Sequence, residues 1–252
     1  MSVLRVNRLE SATGSNITIP TGYSLNVGGL LINQDTLPPS PAGQSGKFLY
    51  SNGTDVIWQV AGPASIQTFT SSGTWTKPAG VTRILVQLVG GGGAASGFNE
   101  SGGAGGYAEK LIDASSLSQV TVTIGQGSGS WTYYSGAAGS GGTTSFGSFC
   151  SATGGNGANT SHQHCGGLPG VGSGGDFNQY GGGGTGHMGW ACGKGGHTYF
   201  GGAGVTGHPQ GGNFAHNYRT HAAPGCGGTS GYASSNHGAT GRDGMVVVYE
   251  YN

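Results

Sequence analysis

Apolar and polar residues alternate in short stretches near the amino terminus, Leu4-Arg5-Val6-Asn7-Arg8-Leu9 and Asn16-Ile17-Thr18-Ile19. A period of two predicts short strands with one buried face. Pro38, Pro39 and Pro41 interrupt regular structure. Beyond them, Gly46-Lys47-Phe48-Leu49-Tyr50, the turn Ser51-Asn52-Gly53-Thr54 and Val56-Ile57-Trp58 read as a hairpin. From Ser65 the pattern resumes: Thr68-Phe69-Thr70, a turn at Ser71-Ser72-Gly73, then Thr74-Trp75-Thr76. The stretch Val81 to Val89 places Ile84, Val86 and Leu88 on one side, and Val120-Thr121-Val122-Thr123-Ile124 alternates cleanly. Met245 to Tyr251 is a last apolar stretch. Its β-branched and aromatic residues suit a strand.

Composition changes the picture between these strands. Glycine supplies 58 of 252 residues and charged residues only 7%, against roughly 7% glycine and about 25% charge in ordinary soluble domains. Runs such as Gly90 to Gly93 and Gly181 to Gly184 break the strict triplet of collagen. A net charge of zero with Trp 4, Tyr 11 and Phe 8 is unlike a disordered chain. So much glycine disfavours regular helix and sheet. An extended polyproline-II backbone, with three residues per turn, leaves its donors and acceptors pointing outward, so neighbouring backbones must satisfy them. The expected fold is therefore mostly β and irregular. Residues 1–62 form an amino-terminal stem of short fibre-like strands, and 63–252 a glycine-rich distal domain. In that domain, 63–125 and 242–252 make a β scaffold, and 126–241 a polyproline-II-type body. The apolar faces of the stem are too small for a core within one chain, so a homo-oligomer is expected.

Charge balance excludes general attraction to nucleic acid or anionic membranes. The amino terminus lacks a signal peptide's apolar core, and no apolar run is long enough to span a bilayer, so synthesis in the cytoplasm without membrane insertion is expected. Cys150, Cys165, Cys192 and Cys226 form no CxxC pair and read as buried free thiols. Gly184-Thr185-Gly186-His187-Met188-Gly189 fits GxGxxG by spacing alone, with no preceding strand or following helix. From Ala114 to Thr240 the charged residues are Asp176, Lys194 and Arg219, which leaves no carboxylate pair for glycoside hydrolysis there. No catalytic residues are assigned.

Three stretches carry a resemblance: Phe69 to Val81 (FTSSGTWTKPAGV), Val86 to Gly93, and Gly241 to Tyr249 (GRDGMVVVY). These resemble the glycine-rich domain of bacteriophage tail-fibre and tail-associated proteins. Gln44 to Thr54, followed by Trp58, is similar to a segment that precedes distal domains in phage fibres. The glycine-rich middle is similar in character to the tip adhesins of T-even-like phages, whose polyglycine helices form a layered body and whose loops bind bacterial outer-membrane receptors. The resemblance implies a virion subunit, made in the host cytoplasm and assembled with other virion proteins, expected as a homotrimer. Its partner would be a host surface protein or glycan. A structural fibre, collar, baseplate or head decoration is the alternative, and a surface-polysaccharide depolymerase a second.

Histidines and aromatics punctuate the glycine runs. Planar side chains with a polar edge offer large contact area for little rotamer entropy. The candidate receptor-binding residues are Trp131, Tyr133, Tyr134, His162, His164, Phe177, Tyr180, His187, Trp190, His197, Tyr199, Phe200, His208, Phe214, His216, Tyr218, Arg219 and His221. Many of these aromatics would equally serve to cover a thin body. His162 and His164, next to Cys165, have the ligand chemistry for a metal repeated by threefold symmetry, but no cofactor is expected.

Overall fold

In the computed structural model the described residues are 24–27, 30–33, 46–51, 56–60, 62–96, 100–129, 138–158, 165–186, 193–203, 222–230 and 238–252. The chain divides into two compact units, Met1–Gly62 and Pro63–Asn252. The first contains two antiparallel hairpins, β1 (Ser24–Val27) with β2 (Leu30–Asn33), and β3 (Lys47–Ser51) with β4 (Val56–Val60). The second hairpin is the one read from Lys47 to Trp58. The strands read at Leu4–Leu9 and Asn16–Ile19 lie outside the described residues.

The second unit begins as a sandwich of two antiparallel sheets. Their strands are β5 (Ser65–Phe69), β6 (Gly73–Thr76), β7 (Arg83–Val89), β8 (Tyr107–Asp113), β9 (Gln119–Thr123), β10 (Thr144–Phe146), β11 (Cys150–Ala152), β12 (Gly172–Ser173), β13 (Phe177–Gln179) and β14 (Met245–Tyr251). One sheet has the order β12-β11-β10-β9-β6 and the other β13-β8-β7-β14-β5. Alternation places Ile84, Val86 and Leu88 of β7, Val120 and Val122 of β9, and Val246 and Val248 of β14 in one buried core with Trp75 and Phe146. The turn at 70–72 joins no hairpin, because β5 pairs with β14 in one sheet and β6 with β9 in the other. That crossing carries Trp75 into the core, where its Nε1 donates to Glu250 at 2.7 Å. Gln67 Nε2 and Ser65 Oγ donate to the same fully buried carboxylate.

Beyond the sandwich, the glycine runs hydrogen-bond with a period of three. In run 90–96, the amides of Gly90 and Gly93 donate to Gly106 and Gly103, those of Gly91 and Ala94 to Gly142 and Gly139, and those of Gly92 and Ala95 to Arg242 and Ala239. Its carbonyls accept from Gly155 and Ala158, from Ser128 and from Gly228. Run 90–96 is thus bonded to six neighbouring runs. Run 100–106 is bonded in the same way to 90–96, 153–158, 165–170, 181–186, 193–197 and 225–230. With bonds repeating every third residue, successive amides reach three neighbours and the carbonyls receive from three others, so each of these two runs is surrounded by six.

Strand order sets run order. The sequence β13-β8-β7-β14 continues beyond the sheet as the layer 181–186, 100–106, 90–96, 238–244. The other sheet, β12-β11-β10-β9, continues as 165–170, 153–158, 138–143, 125–129. Runs 193–197 and 225–230 form a third layer that extends no strand. Backbones come so close that a Cβ on Gly92 would overlap the Cys226 carbonyl, and one on Gly102 the Gly93 carbonyl. Scaffold and body therefore alternate along the chain rather than dividing at residue 125. Runs 90–96 and 100–106 fall inside the stretch read as scaffold, and β10 to β13 inside the stretch read as body. The cause is that eight of the runs are each held beside their neighbours by the strand that they continue.

Candidate functional site

Sequence candidates described in the structure are Phe177, Tyr180, His197, Tyr199 and Phe200. Trp131, Tyr133, Tyr134, His162, His164, His187, Trp190, His208, Phe214, His216, Tyr218, Arg219 and His221 lie outside the described residues. Among the described residues no group of three or more His, Cys, Asp or Glu side chains is placed to hold a metal.

Three of the five described candidates, Phe177, Tyr199 and Phe200, gather where the lattice meets the sandwich, around a tyrosine the sequence did not single out. Run 193–197 ends in a tight turn in which the Thr198 and Gly201 backbones pair at 3.0 and 3.2 Å, with Tyr199 and Phe200 as its central residues. The turn folds over the outer face of the β8 sheet. Tyr199 stacks on Tyr107 with ring centroids 3.9 Å apart and planes at 19°. Phe200 meets Tyr107 edge-on at 5.9 Å, and Phe177, opposite Glu109 on the edge strand β13, meets it at 6.1 Å. His197 is fixed by the Ala203 amide, which donates to its Nδ1 at 3.0 Å.

Tyr107 is the buried base of this cluster, 1% exposed, whereas Phe177 is 48%, Tyr199 53% and the nearby Tyr180 71% exposed. The Tyr107 hydroxyl donates to Glu109 Oε2 at 2.8 Å, and Gln87 Nε2 donates to the same oxygen at 2.7 Å. Burial, followed by the hydrogen bond and negative charge of Glu109, holds the Tyr107 hydroxyl far above the ordinary phenol range. Lys110 Nζ lies 3.7 Å from Asp176 Oδ1 and donates to the Gly174 carbonyl, while the Leu111 amide donates to Asp176 Oδ2. The carboxylates near the cluster are thus committed to neighbours. What remains toward solvent is planar apolar surface edged by Asn178 and Gln179, both exposed. Such a surface suits contact with a sugar face or an apolar loop.

The cluster stands at the strand end of the lattice. The run ends Ser96 and Glu100, Gly129 and Ala138, Ala158 and Cys165, Gly186 and Gly193, and Ser230 and Gly238 lie at the opposite end. The described candidates thus stand at the strand end of the lattice, away from these run ends. Phe177 sits within a strand rather than at a break in a glycine run. Tyr107 was missed because it opens a strand in register with Val89 and sits beneath a turn that follows it by some ninety positions. Local pattern carries no such signal.

The family model described as a glycine-rich domain matches residues 67–251. The chain belongs to the glycine-rich domain family. The match begins within β5 and ends within β14, so the glycine-rich domain comprises sandwich and lattice together. It contains the whole aromatic cluster. No curated protein matched the chain.

Proposed function

We propose that this glycine-rich domain protein is a non-enzymatic bacteriophage virion subunit of the fibre or adhesin type that contacts the host surface. The observation that carries the reading is the aromatic cluster: exposed Phe177 and Tyr199 are braced on buried Tyr107 at the edge of the hydrogen-bonded lattice. Braced planar side chains lose little entropy on binding, and large anchors of this kind dominate interface energetics. The tail-fibre resemblance of Phe69 to Val81 and Gly241 to Tyr249 supplies the biological setting. Residues 1–62 would join the subunit to other virion proteins as the stem of a homotrimer, in particles assembled in the host cytoplasm. The partner of the cluster is a host surface glycan or protein loop.

The test is attachment to susceptible cells by the trimer carrying Tyr199→Ala or Phe177→Ala, each checked for an unchanged thermal melt. Loss of attachment by tenfold or more is expected, with little dependence on salt because few charges are present to screen. Undiminished attachment by both variants overturns the adhesin reading in favour of a structural decoration. Release of new reducing ends from host polysaccharide would overturn it in favour of a depolymerase.

A further inference from the structure

The period of three assigns every amide of a run to one of three directions, which makes unfilled directions identifiable. On run 238–244, Gly241 and Gly244 donate to Ser128 and Gly125, while Ala239 and Arg242 donate to Thr229 and Cys226. The third direction belongs to Thr240 and Asp243. Their amides meet no acceptor among the described residues.

At this corner of the lattice the surface opens into a cleft of about 390 Å³, lined by Thr70, Ser128, Pro224, Thr240, Arg242 and Asp243 among others. Its size falls within the range of small-ligand sites, about 300–1,000 Å³. The half-buried Arg242 guanidinium has no hydrogen bond or ion pair among the described residues. Asp243 accepts the Gly127 amide on Oδ1 at 2.6 Å, which leaves its second oxygen open. The cleft lies across the layer from the aromatic cluster, since run 238–244 and run 181–186 are the two ends of one row.

We infer that this cleft is a second binding site, selective for a neutral saccharide. The donor and acceptor sets decide the class. Arg242 and the two amides can only donate, Asp243 can only accept, and the hydroxyls of Thr70, Ser128 and Thr240 do either. A ligand matching all of these must present several hydroxyls, each both donor and acceptor. An anion would face the Asp243 carboxylate, and an apolar ligand would strand the guanidinium. Pro224 offers an apolar wall for the C–H face of a sugar ring. The assignment is independent of the aromatic cluster and stands whether or not that cluster touches a host.

The experiment is ligand-observed saturation-transfer NMR on the full chain, with methyl glycosides of galactose, glucose and mannose, glucuronate and inorganic phosphate as probes. It is paired with amide shifts in the ¹⁵N-labelled protein. The expected result is weak binding of at least one neutral glycoside, which moves the Thr240 and Asp243 amide resonances. Thr70→Val should weaken it by threefold or more, and Arg242→Met by at least tenfold. Asp243→Asn keeps the acceptor for Gly127 and provides a variant that retains the local fold. The inference is overturned if no neutral glycoside binds. It is also overturned if binding survives Arg242→Met and Asp243→Asn unchanged, or if glucuronate or phosphate binds more tightly than every neutral probe.

Discussion

At the residue scale, the decisive groups are a few polar atoms that burial has made expensive to leave alone. Glu250 is fully buried, and it receives Trp75 from one sheet together with Gln67 and Ser65 from its own. Removing the carboxylate strands the indole N–H inside the core, and an uncompensated buried polar group with a broken charged network costs about 3 kcal/mol or more. Glu250→Leu is therefore expected to lower unfolding stability by that amount in urea titration, with Glu250→Gln in between. The thiols give a second expectation. Cys150 and Cys226 are buried and free, whereas Cys165 is free and exposed, unlike the uniformly buried set the sequence suggested; Cys192 lies outside the described residues. Burial pushes the Cys150 thiol from 9.0 up to about 11 and raises Cys226 in the same direction. In a Cys192→Ser background, native protein at pH 8 should expose one thiol to a disulfide reagent, and denatured protein three. The same burial fixes the pH dependence of stability. A neutral form favoured by folding contributes fully below the unfolded thiol's value and is lost as pH rises, so stability should fall between about pH 9 and pH 11. The raised Tyr107 hydroxyl adds to the alkaline loss with the same sign.

At the element scale, the run is a strand continued by other means. A strand satisfies two neighbours in one plane; a run of period three satisfies six in a hexagonal array, provided nothing larger than hydrogen occupies the contact positions. Alanine and serine appear where the array leaves room, as Ala94, Ala138 and Ala158 do in a small buried cluster of their own. Glycine is obligatory where another backbone passes. Gly92→Ala and Gly102→Ala should each cost more than about 3 kcal/mol, the range of severe overpacking, or abolish folding. At Gly129 a Cβ meets nothing within 4 Å, so Gly129→Ala should be neutral within about 0.5 kcal/mol. Thermal melts of the three variants separate a lattice held by backbone contact from one in which glycine is merely tolerated.

At the scale of the whole molecule, the two units pose different problems. The sandwich and lattice bury their own core, whereas the β3–β4 hairpin leaves Phe48, Leu49, Tyr50, Ile57 and Val60 exposed by 42 to 53%. Adjacent residues point to opposite faces of a strand, so both faces of this hairpin are apolar, and an isolated two-stranded hairpin is marginal in water. Covering two faces at once suits a cyclic assembly, in which every copy touches two neighbours, better than a two-fold dimer using one patch. Light scattering on purified full-length protein should accordingly give the mass of a homotrimer. Phe48→Ser combined with Ile57→Ser should shift it toward monomer while leaving the melt of the 63–252 unit in place.

How much of this was legible depended on range. Alternation in Ile84, Val86 and Leu88, the apolar stretch Met245 to Tyr251, and the glycine excess determined a β scaffold and a body bonded through backbone rather than side chains, because both follow from local periodicity and from the absence of Cβ atoms. The tertiary structure alone decided which run lies beside which. In two of the three layers that order is inherited from the strand order of two sheets, set by pairings as distant as Phe69 with Val246 and Val86 with Val248. It placed Tyr199 on Tyr107, separated the aromatic cluster from the far run ends, and left Thr240 and Asp243 facing a cleft. A glycine run looks the same in sequence whichever neighbours it has, since its bonds are made by the backbone, which every residue shares.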